Sequence, residues 1–330
     1  MGPSLSPVSY EALAGWRAGR QAEALPALLK SCGRRRAERS WRRPCAALAA
    51  VRADDDGAAR RVLERWFRPY RVATHGGAVG RFTGYFEISL RGARRRGGAY
   101  TVPIYAPPRD LDRHRAYLTR AEIESATRRG DWPAGARPRV LLWADDPVAV
   151  FFLHIQGSGR VRLRGGGTVR LGYAGDNGRR YVAIGRPMAA RGLLPRGKIS
   201  MATIAAWLRA HPRRGRALMA ENPRYIFFRE IAGPGPIGAA GVALTPGRSL
   251  AVDADRVALG TPLWLETRWP GPHARPLRRL MVAQDTGAAI KGAIRGDIFW
   301  GSGAAAARLA GRMNETGRYY LLLPRAPAKK

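Results

Sequence analysis

A mainly β protein with helices gathered near its N-terminus is the class this sequence predicts, and three observations carry the prediction. The 330 residues include 40 glycines and 24 prolines, a turn-rich composition. From about residue 72 onward, short β-branched or aromatic stretches recur, each bounded by Gly or Pro. Apolar residues three and four apart, the helical signature, cluster in residues 8–67. A chain of this length buries a good core and suits two domains better than one. Its 45% apolar content is ordinary for a folded protein.

The elements follow in order. Tyr10, Leu13 and Trp16, then Leu25, Leu28 and Leu29, have helical spacing, and Val62, Leu63 and Trp66 mark a later helix face. The Asp54–Asp56 cluster suits the start of that helix, where negative charge meets the helix dipole. RFTGYFEISL, AYTVPIY, RVLLWA and VAVFFLHIQ then read as strands. One helix interrupts them, with Ser200 as its cap and Met201, Ile204, Trp207 and Leu208 on one face. Beyond Gly233–Pro236 come GVALT, SLAVD, PLWLET, RLMVAQD, DIFWG and RYYLLL, all strand-like, and a polar tail, APAKK. No internal repeat is visible.

The formal charge is +34, from 58 Lys+Arg against 24 Asp+Glu, with short blocks at Arg34–Arg36 and Arg94–Arg96. Such an excess points to an anionic partner or to a solvated arginine-rich surface; it bears on association, not on fold. Cys32 and Cys45 lack metal-type spacing and read either as one disulfide or as two buried thiols. No apolar run approaches the roughly eighteen residues of a transmembrane helix. MGPSLSPVSYEALAGW lacks the basic-then-apolar layout of a signal peptide, so the sequence leaves two expectations: export by a signal missing from this sequence, or a cytoplasmic protein.

The stretch AQDTGAAIKGAIRGD, 283–297, carries the chemistry. Asp-Thr-Gly at Asp285 resembles an aspartic protease turn, but that dyad needs two such turns and this chain has one. GSGR at 157–160 and GAAIKG at 287–292 lack the Gly-Lys-Ser/Thr of a phosphate loop. The histidines at 75, 114, 154, 211 and 273 show no ligand spacing, so neither a metal nor another cofactor is expected; His154 reads as a core histidine in an apolar strand. No GxSxG turn is present. The aromatics of FTGYFE are not interleaved with arginines, which argues against nucleic acid.

Two carboxylates remain. Asp285 ends one apolar strand and Asp297 begins another, and the glycine-rich connector 287–296 can fold the chain back to bring them near each other. Beside Phe299 and Trp300, Asp297 would be partly desolvated, and a second negative charge would raise its pKa further. That is how a general acid stays protonated near neutral pH. The alternative is that both aspartates bond backbone amides in tight turns. Gln156-Gly157-Ser158-Gly159, after the strand VAVFFLHI, suits close approach of a hydroxyl-rich ligand or a hairpin turn; Asp176-Asn177-Gly178 favours a type I′ turn.

Taken together, GRFTGYFE (80–87), YTVPIYAPP (100–108), FFLHIQGSGRVRL (151–163), GYAGDNGRRYVAIGR (172–186), ENPRYIFF (221–228), GVALTPGRSLAVD (241–253), LGTPLW (259–264) and AQDTGAAIKGAIRGD (283–297) resemble the membrane-bound lytic murein transglycosylase A family. The likeness covers roughly residues 60–325, in order, and ends in a three-aspartate module of Asp253, Asp285 and Asp297. It implies a double-psi β-barrel domain, residues 71–108 plus 233–330, with the three-aspartate module at about 240–303. A smaller β-domain, 109–232, would be inserted, with a glycan groove between the two and a helical region, 1–70, packed on the barrel.

The resemblance further implies a periplasmic, possibly outer-membrane-associated monomer without cofactor or metal, cleaving peptidoglycan between N-acetylmuramic acid and N-acetylglucosamine. Asp297 would be its single acid and base and Asp285 the supporting carboxylate, with Asp253 as the first aspartate of the module on the substrate side. Thr83, Gly84, Tyr85, Gln156, Gly157 and Ser158 would contact the glycan. The sequence departs from the family at Gly287-Ala288, where Gly-Gly is usual, and at Asp176, where Gln is common. A hydrolase using both Asp285 and Asp297, and a wall- or polyanion-binding module with no catalysis, are the competing expectations.

Overall fold

The computed structural model describes residues 3–35, 37–109, 111, 116–134, 136–195, 197, 199–233, 235–271 and 275–325. Arg36, His114, His273 and the tail APAKK lie outside the described residues. The chain divides into a first unit, Met1–Phe86 with Ile237–Lys330, and a second, Glu87–Pro236. One boundary falls inside a strand, at Phe86/Glu87, whereas the sequence suggests residue 109.

The first unit opens with an edge strand, β1 (Ser4–Pro7), and three helices: α1 (Leu25–Arg34), α2 (Arg39–Ala49) and α3 (Asp56–Trp66). Asp55 caps α3 by accepting from the Ala58 amide at 2.7 Å, which accounts for the acidic cluster. Tyr10, Leu13 and Trp16 form only a short 3-10 turn, Tyr10–Ala12, and tight turns rather than an α-helix, although Leu13 and Trp16 are buried. Cys32 on α1 and Cys45 on α2 are joined in a disulfide, which resolves the alternative the sequence left open.

Strands β2 (Phe67–Ala73) and β3 (Gly80–Ala93) follow, and β3 carries the chain into the second unit. There lie β4 (Val102–Tyr105), α4 (Arg120–Arg129), β5 (Val140–Ala144), α5 (Pro147–Gln156), β6 (Gly159–Leu163) and β7 (Thr168–Asp176). Helices α6 (Gly185–Ala190), α7 (Met201–Ala210) and α8 (Pro212–Ala220) and strand β8 (Ile226–Ile231) complete it. The sheet runs β3-β6-β7-β8, with β5 pairing β3 and β4. Leu90, Val161, Leu171 and Phe228 line its inner face.

Ser200 caps α7 with a full capping box to Thr203, as the sequence indicates. The stretch VAVFFLHIQ, however, is the helix α5, not a strand. Its apolar run is continuous, so periodicity cannot separate a buried strand from a buried helix. The ends decide: Asp146 accepts from the Val148 amide at 2.8 Å, Pro147 occupies the first turn, and Gly157 closes the helix at φ 74°. Gln156-Gly157-Ser158 is therefore a helix C-cap rather than a hairpin. Nor is Asp176-Asn177-Gly178 a type I′ turn, which needs positive φ at both central residues; among the described residues only glycines have it. Asn177 is instead buried, donating to the carbonyls of Leu118 and Pro223.

The chain then returns to the first unit with β9 (Ser249–Ala251), β10 (Pro262–Arg268), β11 (Pro276–Asp285), β12 (Arg295–Ser302), α9 (Gly303–Arg312) and β13 (Asn314–Pro324). GVALT, 241–245, forms no strand beyond an isolated bridge from Ile237 to Ala243; Lys30 takes the Ala243 carbonyl at 2.9 Å. The pairing path β13-β10-β11-β9-β12-β3 closes on itself, because β13 also pairs with β3 from Asn314↔Thr83 to Gly317↔Gly80. A closed path leaves no edge along those strands. Trp16, Trp41 and Trp264 anchor the layer in which the N-terminal helices pack on β10, β11 and β13.

The disulfide spans a sequence separation of 13 residues. Replacing both cysteines by serine is expected to lower the unfolding free energy by about 3 kcal/mol, the chain-entropy value for so short a loop. Urea denaturation followed by tryptophan fluorescence measures it; an unchanged midpoint would show the crosslink to be idle.

Candidate active site

The geometry of the site begins with three residues of β9. Strand β11 pairs with β9 in parallel and places Asp285 opposite Ala251, after an irregularity between Ala283 and Asp285. Strand β12 pairs with the other edge of β9, antiparallel, and places Asp297 opposite the same Ala251. Residues in register on adjacent strands share a face, so Asp285, Ala251 and Asp297 stand in one row. Two strand spacings, roughly 10 Å between the outer Cα atoms, separate the aspartates. The small Ala251 side chain between them lets the carboxyls lean together.

Strand β3 supplies the residues above this row. Its alternation turns Phe82 and Phe86 into the core and leaves Thr83 and Tyr85, both half-buried, on the other side. Thr83 Oγ1 donates to Asp297 Oδ1 at 2.7 Å. Arg295 Nη2 donates to the same Thr83 oxygen at 2.9 Å, so the hydroxyl proton is directed at Asp297. Tyr85 donates its phenol proton to Asp285 Oδ2 at 2.7 Å, and its ring rests 5.3 Å from that of Phe299. Gly84 lies between them for a steric reason: a Cβ there would stand 2.5 Å from Trp300 Nε1 and 3.0 Å from the Ala310 Cα on α9.

The two carboxylates are held differently. Asp285 Oδ1 accepts from the Ala239 and Thr286 amides at 2.9 Å each, in addition to the Tyr85 bond. Three donors favour its ionised form, although burial pushes its pKa up. Among the described residues a single side-chain donor, Thr83, reaches Asp297. Burial raises Asp297 to about 6, with the Asp285 charge adding to the rise and Thr83 and Arg295 opposing it. The pair is thus split into one carboxyl that keeps a proton to near-neutral pH and one whose charge three donors stabilise. Tyr85 is held protonated by burial and by the Asp285 charge.

The third aspartate of the module stays apart from this pair. Asp253 is buried, and its Oδ2 accepts from the Gly292 amide at 2.8 Å while Lys291 approaches Oδ1 at 3.4 Å. It thereby pins the connector between β11 and β12. Of the two aromatic residues expected beside Asp297, Phe299 shares its face, whereas Trp300 points to the other, against Gly84 and 5.4 Å from Trp269. Gln156, Gly157 and Ser158 belong to the second unit; Gln156 Nε2 lies 3.8 Å from Met201 Sδ. Among the described residues no three His, Cys, Asp or Glu side chains cluster so as to hold a metal ion. Arg295 was missed in the sequence, yet its signal was there: two residues before Asp297 on a strand, it shares that aspartate's face.

Two substitutions test this geometry. Thr83→Val removes a donor to the ionised carboxylate, so the Asp297 pKa is expected to rise above its value of about 6. Carbon-13 NMR titration of the carboxyl reads it directly, and a fall would contradict the bonding scheme. Gly84→Ala is expected to cost about 1–3 kcal/mol of stability through overpacking against Trp300, measured by thermal unfolding.

Residues 81–229 match the MltA specific insert domain, and residues 248–323 match the 3D domain. The membrane-bound lytic murein transglycosylase A of Vibrio cholerae is 32% identical over 250 residues, which span 73% of this chain and 64% of that protein. The crystal structure of MltA from Neisseria gonorrhoeae superposes with a TM-score of 0.85 at 34% identity, covering 100% of this chain and 94% of that one. An Escherichia coli MltA with bound chitohexaose gives a TM-score of 0.78 at 25% identity, over 99% and 95% of the two chains. With its mainly β architecture and with both domain matches in place, the chain belongs to the membrane-bound lytic murein transglycosylase A family.

Proposed function

We propose that this protein is a lytic transglycosylase that cleaves the β-1,4 bond between N-acetylmuramic acid and N-acetylglucosamine in peptidoglycan and leaves a 1,6-anhydromuramic acid end. The observation that carries the reading is the asymmetry of the pair: Asp297 keeps its proton to about pH 6, while three donors occupy Asp285. Asp297 protonates the glycosidic oxygen as its bond to C1 breaks. The resulting carboxylate then takes the proton of the muramyl C6 hydroxyl as that oxygen bonds to C1. Atoms and charge balance without water. An intramolecular nucleophile has a high effective concentration, which replaces the second carboxylate of an ordinary glycosidase.

The three donors on Asp285, two on Oδ1 and one on Oδ2, stabilise its charge and lower its basicity, which argues against its serving as a nucleophile or water-activating base in a two-carboxylate hydrolase. Its role is to add negative charge near Asp297 and to hold Tyr85 in place. Asp253 acts one step further out, through the connector. We assign Thr83, Tyr85, Gln156, Gly157 and Ser158 to glycan contact, with Gly84 keeping β3 close to Trp300. The closed strand path of the first unit is the frame we read as a double-psi β-barrel. The relatives' names, membrane-bound lytic murein transglycosylase A, and the chitohexaose complex support a wall-glycan substrate and a periplasmic, membrane-associated location. Among the described residues no helix is long and apolar enough to cross a membrane.

The charge excess supports an anionic polymer as partner. On the outer face of the second unit's sheet, Arg91 stands opposite Arg162, and Arg160 opposite Arg170. Like charges directly opposite each other destabilise a sheet unless something anionic faces them. Glu87 lies 3.0 Å from Arg160 and 4.0 Å from Arg170, and Asp145 pairs with Arg91 at 2.7 Å, so two carboxylates stand against the four cations.

Mass spectrometry of digested sacculi tests the reaction. Anhydro ends are expected; a hydrolase would leave reducing ends about 18 Da heavier, the mass of one water. Asp297→Asn is expected to cut the rate by about 10²–10⁴-fold, and lysis at the wild-type rate would remove Asp297 from the mechanism. The same variant should be more stable at pH 7.5. A folded-state pKa raised from 3.8 to about 6 makes stability fall as pH climbs through that window, and the amide removes the cost above it.

A further inference from the structure

The second unit encloses a cavity of about 600 Å³ bounded by α4, α5, α7, α8 and β4, and none of the residues assigned above lines it. Its floor contains a buried cation. Arg120 is 1% exposed, and its guanidinium lies 5.0 Å from the Phe151 ring and 5.2 Å from the Tyr225 ring. Nε donates to the Asn222 carbonyl at 3.1 Å, and Nη2 to the Arg224 carbonyl at 2.8 Å and to His154 Nδ1 at 3.1 Å. Nη1 donates to Glu124 Oε1 at 3.4 Å. A guanidinium has five N–H donors, so one Nη1–H has no acceptor among the described residues.

His154 adds a second donor. Arginine can only donate, so His154 Nδ1 accepts and the ring proton sits on Nε2. That Nε2 is buried and finds no partner among the described residues. Burial and the Arg120 charge keep the ring neutral, so it contributes a donor without a second positive charge. Leaving two buried donors unmet costs free energy, and such an orphan calls for an explanation.

The neighbouring acids are already engaged. Asp145 pairs with Arg91 at 2.7 Å, and Asp146 pairs with Arg209 at 2.8 Å while capping α5. Glu124, the carboxylate beside Arg120, is long-ranged and partly exposed. Arg96, Arg128 and Arg216 stand exposed at the cavity wall. Val150, Phe151, Leu208 and Met219 give the lining an apolar part, beside the hydroxyls of Thr101 and Thr127.

We propose that this cavity binds a small organic carboxylate, whose oxygens accept from Arg120 Nη1 and His154 Nε2 while its apolar body packs on Phe151, Leu208 and Met219. Two open donors, set beside a guanidinium that Glu124 reaches only at 3.4 Å, match the two oxygens of one carboxylate. A phosphate would bring further acceptor oxygens that find no additional buried donor at this floor among the described residues. The volume lies within the range of small-ligand sites, about 300–1,000 Å³. The carboxylate could belong to a free acid or to a peptide terminus, and both sources share this chemistry. The site is separate from the Asp297 chemistry, so its test reads binding and does not depend on glycan cleavage.

Isothermal titration of the full chain with 3-phenylpropionate and with N-acetyl-D-alanyl-D-alanine, each against its amide, decides the matter. At least one acid is expected to bind, with its amide weaker by about tenfold or more, the cost of one charge-assisted bond; whichever acid binds identifies the source. His154→Phe keeps a ring in the core but removes the donor, and should weaken binding by about tenfold or more. Because that variant could unfold, Thr101→Trp is the second: Thr101 is exposed on the cavity wall, where the added bulk is expected to fill the space a ligand would take. Loss of binding with an unchanged melting temperature supports the site. Binding of neither acid, equal binding of acid and amide, or wild-type affinity in Thr101→Trp overturns it.

Discussion

The pairing of β11 and β12 on the two edges of β9 is the constraint from which the candidate site follows. Both aspartates oppose Ala251, and neither would meet the other if β9 shifted by one residue, because a slip of one turns every side chain to the opposite face. A buried polar clamp holds the register. Ser249 donates to Gln284 Oε1 at 2.6 Å, and Gln284 Nε2 donates to the Ala27 carbonyl and to Ser31 Oγ, each at 2.8 Å. Gln284 is 0% exposed, so these bonds are made in a low-dielectric interior where an unmet partner is costly. The residue next to Asp285 is thereby tied to β9 and to α1 at once, which gives the N-terminal helices a structural part in positioning the carboxyl.

From that anchor the division of labour between the aspartates is a matter of donors. Asp285 sits where the backbone turns out of β11 and collects two amides, and Tyr85 completes its shell. Asp297 begins a regular strand whose amides are engaged in pairing, and so receives only the directed Thr83 hydroxyl. Similar burial with unequal donation is enough to set the two pKa values apart. Arg295 completes the arrangement without touching the carboxyl: it orients Thr83 and moderates the Asp297 shift from a distance.

Glycine serves the site by absence of bulk. Gly84 allows β3 to pass against Trp300, and this close approach keeps Thr83 and Tyr85 at hydrogen-bonding distance from their aspartates. In the second unit the same residue type serves by its backbone, with Gly157 taking the left-handed conformation that ends α5 and turns the chain into β6. The two uses look identical in sequence.

Much was legible before the structure. Strands at 81–90, 262–267, 279–285 and 318–323, a helix start at the Asp54–Asp56 cluster, the Ser200 cap and the nearness of Asp285 and Asp297 all follow from local chemistry: alternation, capping and the scarcity of other reactive groups. Arg295 was readable too, from the period of two. The sequence could not decide whether VAVFFLHIQ was strand or helix, because a segment buried on every side shows no period. It could not reveal that Ala251 aligns the carboxylates, that Cys32 meets Cys45, or that Trp300 faces away from Asp297. Those depend on which segments lie side by side across gaps of tens to hundreds of residues. Local propensity carries no information about such gaps; only the packed tertiary structure supplies it.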